Sequence, residues 1–326
     1  MKRTLGSILT IAAVAAIALA AHPSQAQRYP EKPVRLIIGF SAGSGGDAFI
    51  RLTSAKAAEL LGQPIVVENQ GGAGGALAAQ AVARASPDGY TLMVQTAAPI
   101  VLRPFVVAGP LPYDPVKDFT PVTQAIEAIL SLIVNSALPI NSIQDLIEYA
   151  KRHPGVAYGT NGVGSTFQLI GEEVQLLAGI KMTHVPYKGV SEAVKDLMGG
   201  QIPLTFAAFG SALPAVHSGK ARFVFVAAKS RVRSHPDIPT LAESLPGYRP
   251  LPAWLGFLGP AKLPAPVLSR LSGALIKSLK LPEVEAKADS VGFAVIASTP
   301  EEFGASIKDE IETVAKLVKT VGIQPK

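Results

Sequence analysis

The chain has 326 residues, 48% of them apolar and 17% charged, with no cysteine and a formal net charge of +6. That length fits two domains better than one, because a single core rarely grows beyond about 250–300 residues. So apolar a chain is not intrinsically disordered, and without cysteine it is neither a disulfide scaffold nor a source of thiolate for zinc or nucleophilic attack.

The amino terminus reads as a secretory signal. Lys2 and Arg3 precede an apolar run from Leu5 to Ala21, and Ser24-Gln25-Ala26 presents small residues at a cleavage site. The run is shorter than the roughly 20 residues that span a bilayer. Removing residues 1–26 leaves a mildly basic chain expected in the periplasm. It has no dense Lys/Arg run interleaved with aromatics, so nucleic acid is not an expected partner. Soluble nucleotide cofactors are scarce in that compartment, and no cofactor is expected.

Strands and helices then alternate. Val34–Phe40 is an apolar strand buried on both faces. A Gly/Ser loop leads into a helix from about Asp47 to Leu61. Pro64–Glu68 is a second strand, Gly71–Gly75 a second glycine loop, and an Ala-rich helix runs to about Ala85. Pro87-Asp88-Gly89 turns the chain into a third strand, Tyr90–Gln95. This rhythm implies a parallel sheet with helices on both faces. The proline-rich stretch Pro104–Pro121 reads as a long connection. An apolar strand follows at Ala128–Val134, then a helix near Ser142–Lys151, a strand at Val156–Tyr158 and a helix near Ser165–Ala178. Next come a strand near Met182–Val185, a helix near Val190–Met198, and strands at Ile202–Phe206 and Arg222–Ala228. A second irregular stretch carries Pro236, Pro239, Pro246, Pro250 and Pro252. At the carboxyl end, Thr299-Pro300-Glu301-Glu302 is a capping box. Phe303, Ile307, Ile311, Val314, Val318 and Val321 line one face of the final helix, and Gly322 sits at its C-cap.

The order suggests one α/β unit with a second inserted in it: residues 27–125 and 229–326 as one lobe, 126–228 as the other. Two crossings, near Thr120–Ile126 and Ala227–Arg231, would make a hinge with a cleft between the lobes. Small ligands bind in such clefts, at the carboxyl ends of strands.

Three readings compete for the glycine loops. Gly39-Phe40-Ser41-Ala42-Gly43 matches the nucleophile elbow, so an exported α/β serine hydrolase using Ser41 is the alternative function, with His153, His184, His217 and His235 as its candidate bases. That elbow normally follows several strands, whereas here it ends the first. Gly43-Ser44-Gly45-Gly46-Asp47-Ala48 matches a dinucleotide fingerprint, with Glu68 in the ribose-binding position, but Phe40-Ser41-Ala42 intervene after the strand. The third reading needs no chemistry: a glycine loop before a helix presents backbone N–H groups at a positive dipole end, a site for a carboxylate. Ser41–Asp47, Gly71–Gly75 (with Gly74) and Gly159–Thr166 are three such places. Asp47 and Ser165 stand where N-caps sit, Ser165 forming a capping box with Gln168. Glycines 71–75 also suit positive φ and tight packing. The histidines lack metal-ligand spacing, and Trp254 and Phe257 fit the packing of a returning strand.

Seven motifs occur in order: Tyr29-Pro30-Glu31-Lys32-Pro33-Val34, Gly62-Gln63-Pro64-Ile65-Val66-Val67-Glu68-Asn69, Gly71-Gly72-Ala73-Gly74-Gly75, Pro87-Asp88-Gly89-Tyr90-Thr91-Leu92, Tyr113-Asp114-Pro115-Val116-Lys117-Asp118-Phe119, His184-Val185-Pro186-Tyr187-Lys188-Gly189 and Thr299-Pro300-Glu301-Glu302-Phe303. Across essentially the whole mature chain the sequence resembles the periplasmic solute-binding receptors of the tripartite tricarboxylate transporter family, the Bug receptors. The resemblance implies an α/β fold of the periplasmic binding protein-like type II (Venus flytrap) kind, two α/β lobes joined by two crossover strands. It implies a monomer that is not an enzyme. Such a receptor captures a small organic carboxylate and delivers it to a membrane permease with one large and one small subunit. The family's first-lobe loop maps onto Phe40, Ser41, Ala42 and Gly43 through Asp47. Its second-lobe loop maps onto Gly159 through Thr166, with Thr160, Asn161, Gly164, Ser165 and Thr166 as ligand-binding candidates. Thr96 and Ala97 fall at cleft-lining positions. Two departures stand out: Gln168-Leu169 where many members read histidine-leucine, and Ala207-Ala208-Phe209 where many carry Asp or Asn. An apolar wall at Ala208 and Phe209 implies an aromatic or longer aliphatic acid rather than an amino acid.

Overall fold

The computed structural model describes residues 29–40, 42–72, 75–163, 165–187, 189–228, 230–232 and 234–321. The signal at residues 1–26 and the C-cap at Gly322 lie outside the described residues. Among the described residues, no helix is long and apolar enough to cross a membrane.

Two sheets organise the chain. In the first, β1 (Val34–Ile38) pairs in parallel with β2 (Ile65–Asn69) and β3 (Thr91–Thr96). The returning strand β10 (Trp254–Pro260) runs antiparallel to both β3 and β4 (Phe119–Ala128). With β11 (Phe293–Val295) the order is β11-β4-β10-β3-β1-β2. The second sheet holds β5 (Leu130–Asn135), β6 (Val156–Thr160), β7 (Met182–Pro186), β8 (Leu204–Ala208) and β9 (Ala221–Ala227), in the order β7-β6-β8-β5-β9. Burial follows position. Central β10 is buried along its whole length, while β2, at an edge, shows residues of alternating exposure.

Helices connect the strands: α1 (Gly45–Leu61), α2 (Ala76–Ala83), α4 (Ile143–Arg152), α5 (Thr166–Ala178), α6 (Val190–Met198) and α7 (Phe209–His217). After β3 the chain makes a π-helical turn, Ala98–Leu102, and the short α3 (Arg103–Val106). The proline-rich stretch is thus not one long connection. Its end is the ten-residue β4, with Pro121 inside it. A proline is tolerated there because β11 pairs only with Ile126–Ala128, leaving Pro121 without a neighbour on that side. On the other side the register shifts between Phe257 and Leu258, next to the Leu258–Pro121 pair.

The chain leaves the first sheet at Ile129, between β4 and β5. That residue is held twice: its N–H donates to the Gly292 carbonyl at 3.2 Å, and its carbonyl accepts from the Phe209 N–H at 2.7 Å. The return passes through α8 (Leu241–Ser244), which packs on α4 and β9 before β10 begins. The carboxyl end adds α9 (Ala265–Leu279), α10 (Pro282–Ser290) and α11 (Pro300–Val321). The capping box that opens α11 is complete: the Glu302 N–H donates to Thr299 Oγ1 at 3.2 Å and the Thr299 N–H to Glu302 Oε2 at 2.8 Å.

Helix α11 lies against β4, the π-helical turn and α5, so it touches elements of both sheets. One apolar cluster accordingly runs through both, taking in Met93, Ile100, Tyr158, Phe167, Trp254 and Phe303. A second, built on Ile38, Phe49, Phe257 and Leu271, fills the other face of the first sheet. Trp254 is fully buried, edge-on to Phe303 at 4.9 Å, and its indole N–H donates to Glu310 Oε2 at 2.7 Å. Gly256 leaves room for the Phe303 ring, which a Cβ would meet at 2.3 Å.

One carboxyl in this core is out of place by the usual rules. Glu173 of α5 is 5% exposed and its Oε2 has no hydrogen-bond partner. Burial pushes its pKa up to about 7, against the opposing pull of the Arg249 backbone N–H. The nearby Tyr248 hydroxyl, also buried and unpartnered, is pushed up by burial and by Glu173.

Two outcomes follow for stability. Trp254→Ala is expected to destabilise the protein by about 3–5 kcal/mol in denaturant unfolding, since it empties the largest buried side-chain site among the described residues and removes the indole N–H donated to Glu310. The folded protein holds a proton on Glu173 that the unfolded chain has released between its ordinary pKa and about 7. Stability from this group is therefore full at low pH and falls by about 1.4 kcal/mol per pH unit across that window. Glu173→Gln should flatten this part of the stability–pH curve.

Candidate functional site

The first-lobe loop between β1 and α1 is held by Ser44, Asp47, Arg51 and Asn69. Ser44, in extended conformation, is the N-cap of α1, and its hydroxyl accepts from the Asp47 N–H at 3.1 Å. Asp47 is therefore not the cap but stands in the first turn, where its carboxylate gathers the loop. It accepts from the Gly43 N–H at 3.1 Å, from Asn69 Nδ2 at 2.9 Å and from Arg51 Nε. Asn69 also donates to the Phe40 carbonyl at 3.1 Å and accepts from Arg51 Nη2 at 2.6 Å. Burial pushes the Asp47 carboxyl up, but the bonds from Asn69, Gly43 and Arg51 outweigh it and hold the group below the ordinary carboxylate value. The charge that would repel an anion is thus neutralised locally. Gly43, at φ +81°, needs its glycine, and its N–H is taken by Asp47. Ala42 is exposed and Phe40 half-buried; Ser41 lies outside the described residues.

Gln95, fully buried at the end of β3, ties this loop to the second glycine loop. A Cβ on Gly39 or Gly75 would fall 2.5–2.9 Å from its side-chain atoms. Its Nε2 donates to the Gly75 carbonyl at 2.9 Å and its Oε1 accepts from the Thr96 N–H at 3.1 Å. Gly72 and Gly75 both have positive φ, which accounts for those two glycines by conformation and close approach; Gly74 lies outside the described residues. An isolated glutamine in the apolar strand Leu92-Met93-Val94-Gln95 was the available signal for this role.

In the second sheet, β6 ends at Thr160, which is fully buried. Asn161 is exposed, and Gly162 takes a φ of +121° that favours glycine. Ser165 caps α5, accepting from the Gln168 N–H at 3.2 Å. At α1 the Gly45 and Gly46 amides, and at α5 the Thr166 and Phe167 amides, precede the first turn's internal bonds and are left over for a ligand or water. Gly164 lies outside the described residues.

Contacts bring the loops of the two sheets together. A narrow gap of ≈ 10 Å³ is lined by Ala97 and Ala98 from the first side and by Thr166 and Leu169 from the second, and closed by Leu251, Pro252 and Val314. Ala97 is buried and Thr96 half-buried beside it. Elsewhere, Val291 side-chain atoms lie 3.2–3.3 Å from where a Gly45 Cβ would sit, and the Val291 carbonyl oxygen lies 2.4 Å from where a Gly210 Cβ would sit. Gly45, Val291 and Gly210 therefore link the first-lobe loop to the start of α7. Ala208, just before α7, is half-buried. Phe209 does not join these groups: its ring is 2% exposed, stacked on Phe223 at 4.5 Å and edge-on to His235, and its N–H is engaged by Ile129.

The histidines are dispersed. His184 Nε2 lies 2.6 Å from Thr160 Oγ1, His235 Nδ1 3.0 Å from Ser234 Oγ, and His153 stacks on Tyr149. Among the described residues, no group of three or more His, Cys, Asp or Glu side chains is placed to hold a metal.

Residues 49–323 match the family model described as the tripartite tricarboxylate transporter family receptor. Protein BugT of Bordetella pertussis is 30% identical over 329 residues, covering 100% of this chain and 99% of that protein. The solved structure "R. palustris Rpa4515 with adipate" superposes with a TM-score of 0.80 at 31% identity, over 91% of this chain and 100% of that one. "MatC (Rpa3494) from Rhodopseudomonas palustris with bound malate" superposes with a TM-score of 0.75 at 30% identity, over 89% and 100%. The two mixed sheets have the type II periplasmic binding protein fold of these neighbours. From a matched family model, end-to-end relatives and a shared two-sheet architecture, the chain belongs to the solute-binding receptors of the tripartite tricarboxylate transporter family.

Proposed function

We propose that this receptor binds a small organic carboxylate between its two sheets and passes it to a membrane permease with one large and one small subunit. In this reading residues 1–26 direct export and are removed, and the mature protein works in the periplasm. The lobes correspond to the two sheets with their helices, and they hinge where the chain crosses at Ile129 and again before β10. What supports the reading is that two helices, α1 beside the first sheet and α5 beside the second, each start after a glycine-containing loop with N–H groups left over, and that Thr166 at the start of α5 faces Ala97 and Ala98 of the first side across a gap. Such groups hold a carboxylate without a buried arginine. The adipate and malate in the two neighbours belong to the same chemical class. On this reading Ala208 puts a methyl group where a polar side chain would hold an ammonium, which favours an acid with an aliphatic or aromatic body. Ligand contacts to both lobes would favour a closed state over an open one.

A thermal-shift screen of mono-, di- and tricarboxylates, aromatic acids, amino acids and nucleotides tests this reading. A carboxylate at 100 times its Kd should add about 2.7 kcal/mol and raise the Tm. A rise with NAD and with no organic acid would overturn the proposal. Tight binding of aspartate or glutamate, with no aliphatic or aromatic acid bound, would overturn the assignment of ligand body. Asp47→Ala removes the acceptor that organises Gly43, Asn69 and Arg51. Calorimetric titration should show affinity for the bound acid falling about tenfold or more, as expected for loss of a charged hydrogen-bonding group.

A further inference from the structure

The turn between β6 and α5 is shaped by one hydroxyl. Thr160 Oγ1 is within hydrogen-bond distance of three groups: the Gly162 carbonyl at 3.2 Å, the Gly162 N–H at 3.2 Å and His184 Nε2 at 2.6 Å. A hydroxyl has one proton to give and two lone pairs to receive. All three contacts are satisfied in one arrangement: Thr160 donates to the Gly162 carbonyl and accepts from both the Gly162 N–H and an Nε2–H on His184. If Nε2 instead carried no proton, Thr160 would spend its own on the imidazole and leave the Gly162 carbonyl behind. The surroundings hold the ring in place. Tyr158 lies over it at 5.3 Å, and the Tyr158 hydroxyl donates to Glu172 Oε1 at 3.0 Å. The Thr160 carbonyl accepts from the Tyr187 N–H at 3.0 Å, so the strand carrying His184 is also tied to the turn by its backbone.

We propose that His184 is a positioning residue of the second-lobe loop: its Nε2–H, donated to Thr160, fixes Thr160 to Gly162 in the shape that receives the ligand. The proposal rests on the reading that this loop holds the ligand. Sequence motifs put His184 24 positions from Thr160, and only the parallel pairing of β6 with β7, with Tyr158 opposite His184, brings the two side chains together. Burial lowers the His184 pKa against the pull of Glu172, so the neutral ring is favoured. Both the neutral Nε2–H tautomer and the imidazolium carry the donated proton, so protonation of His184 leaves this loop intact.

The test combines the histidine tautomer, the exchange rate of one amide and binding, in wild type, His184→Gln and His184→Ala. Glutamine can place a donor near Nε2; alanine cannot. Long-range nitrogen–proton spectra of wild type should show the Nε2–H form. Gly162 amide exchange should speed up at least about tenfold in His184→Ala and stay within about threefold of wild type in His184→Gln, matching loss or retention of one hydrogen bond. The Kd for adipate, used as probe, should follow the same order, with the Tm of each variant recorded to establish folding. An Nδ1–H tautomer in wild type would overturn the proposal, and so would a Gly162 amide indifferent to the alanine change. Should the tautomer and exchange results come out as expected while no carboxylate in the screen binds wild type, the function reading fails and the His184 contact survives as a loop lock alone. If adipate binds all three forms equally, the positioning role is wrong and the function reading stands.

Discussion

The first amides of a helix cannot be bonded within it, and this protein starts one helix beside each sheet, α1 and α5, after a glycine-containing loop. Helices α1 and α5 each begin with a serine cap that satisfies one N–H and leaves its neighbours over. In the proposed reading that polarity is what the ligand meets. Asp47 could have cancelled it, yet its carboxylate is turned onto Gly43, Asn69 and Arg51, where it organises the loop. The loop before α5 is organised differently, by a neutral hydroxyl and an imidazole. One lobe thus uses a compensated charge and the other an uncharged relay to hold the same kind of backbone.

A two-lobed receptor must also let its halves move without unfolding. The crossing at Ile129 is made of two backbone hydrogen bonds, to Gly292 and from Phe209, and of a glycine-to-turn approach at Gly210 too close for any Cβ. In the proposed reading, where this crossing is a hinge, backbone contacts of this kind leave few side chains to repack. Set against it, α11 spans both sheets and closes one end of the gap through Val314. It is anchored on Trp254 of β10 through its own Phe303 and Glu310.

Membership of the receptor family and the chemistry of the loops point the same way, from independent grounds. The family rests on likeness along the whole chain. The carboxylate reading rests on amides, caps and the absence of an ammonium partner at Ala208. Together they make the apolar body of the ligand the feature most worth varying.

The sequence by itself determined the alternation of strand and helix, the capping box at Thr299, the glycine loops and the family. These are local patterns, and caps, turns and apolar runs act over a few residues. It misread the stretch ending at Pro121 because a proline normally excludes a strand, and the tolerance for it comes from a missing neighbour in the sheet. It placed Phe209 at the ligand wall, whereas packing against Phe223 and His235, which follow it in sequence, turned the ring into the core. Gln95, Asn69, His184 and Val291 acquired their roles only in the tertiary structure. Each acts on a partner far along the chain, and such pairings depend on strand order and register, which no local pattern encodes.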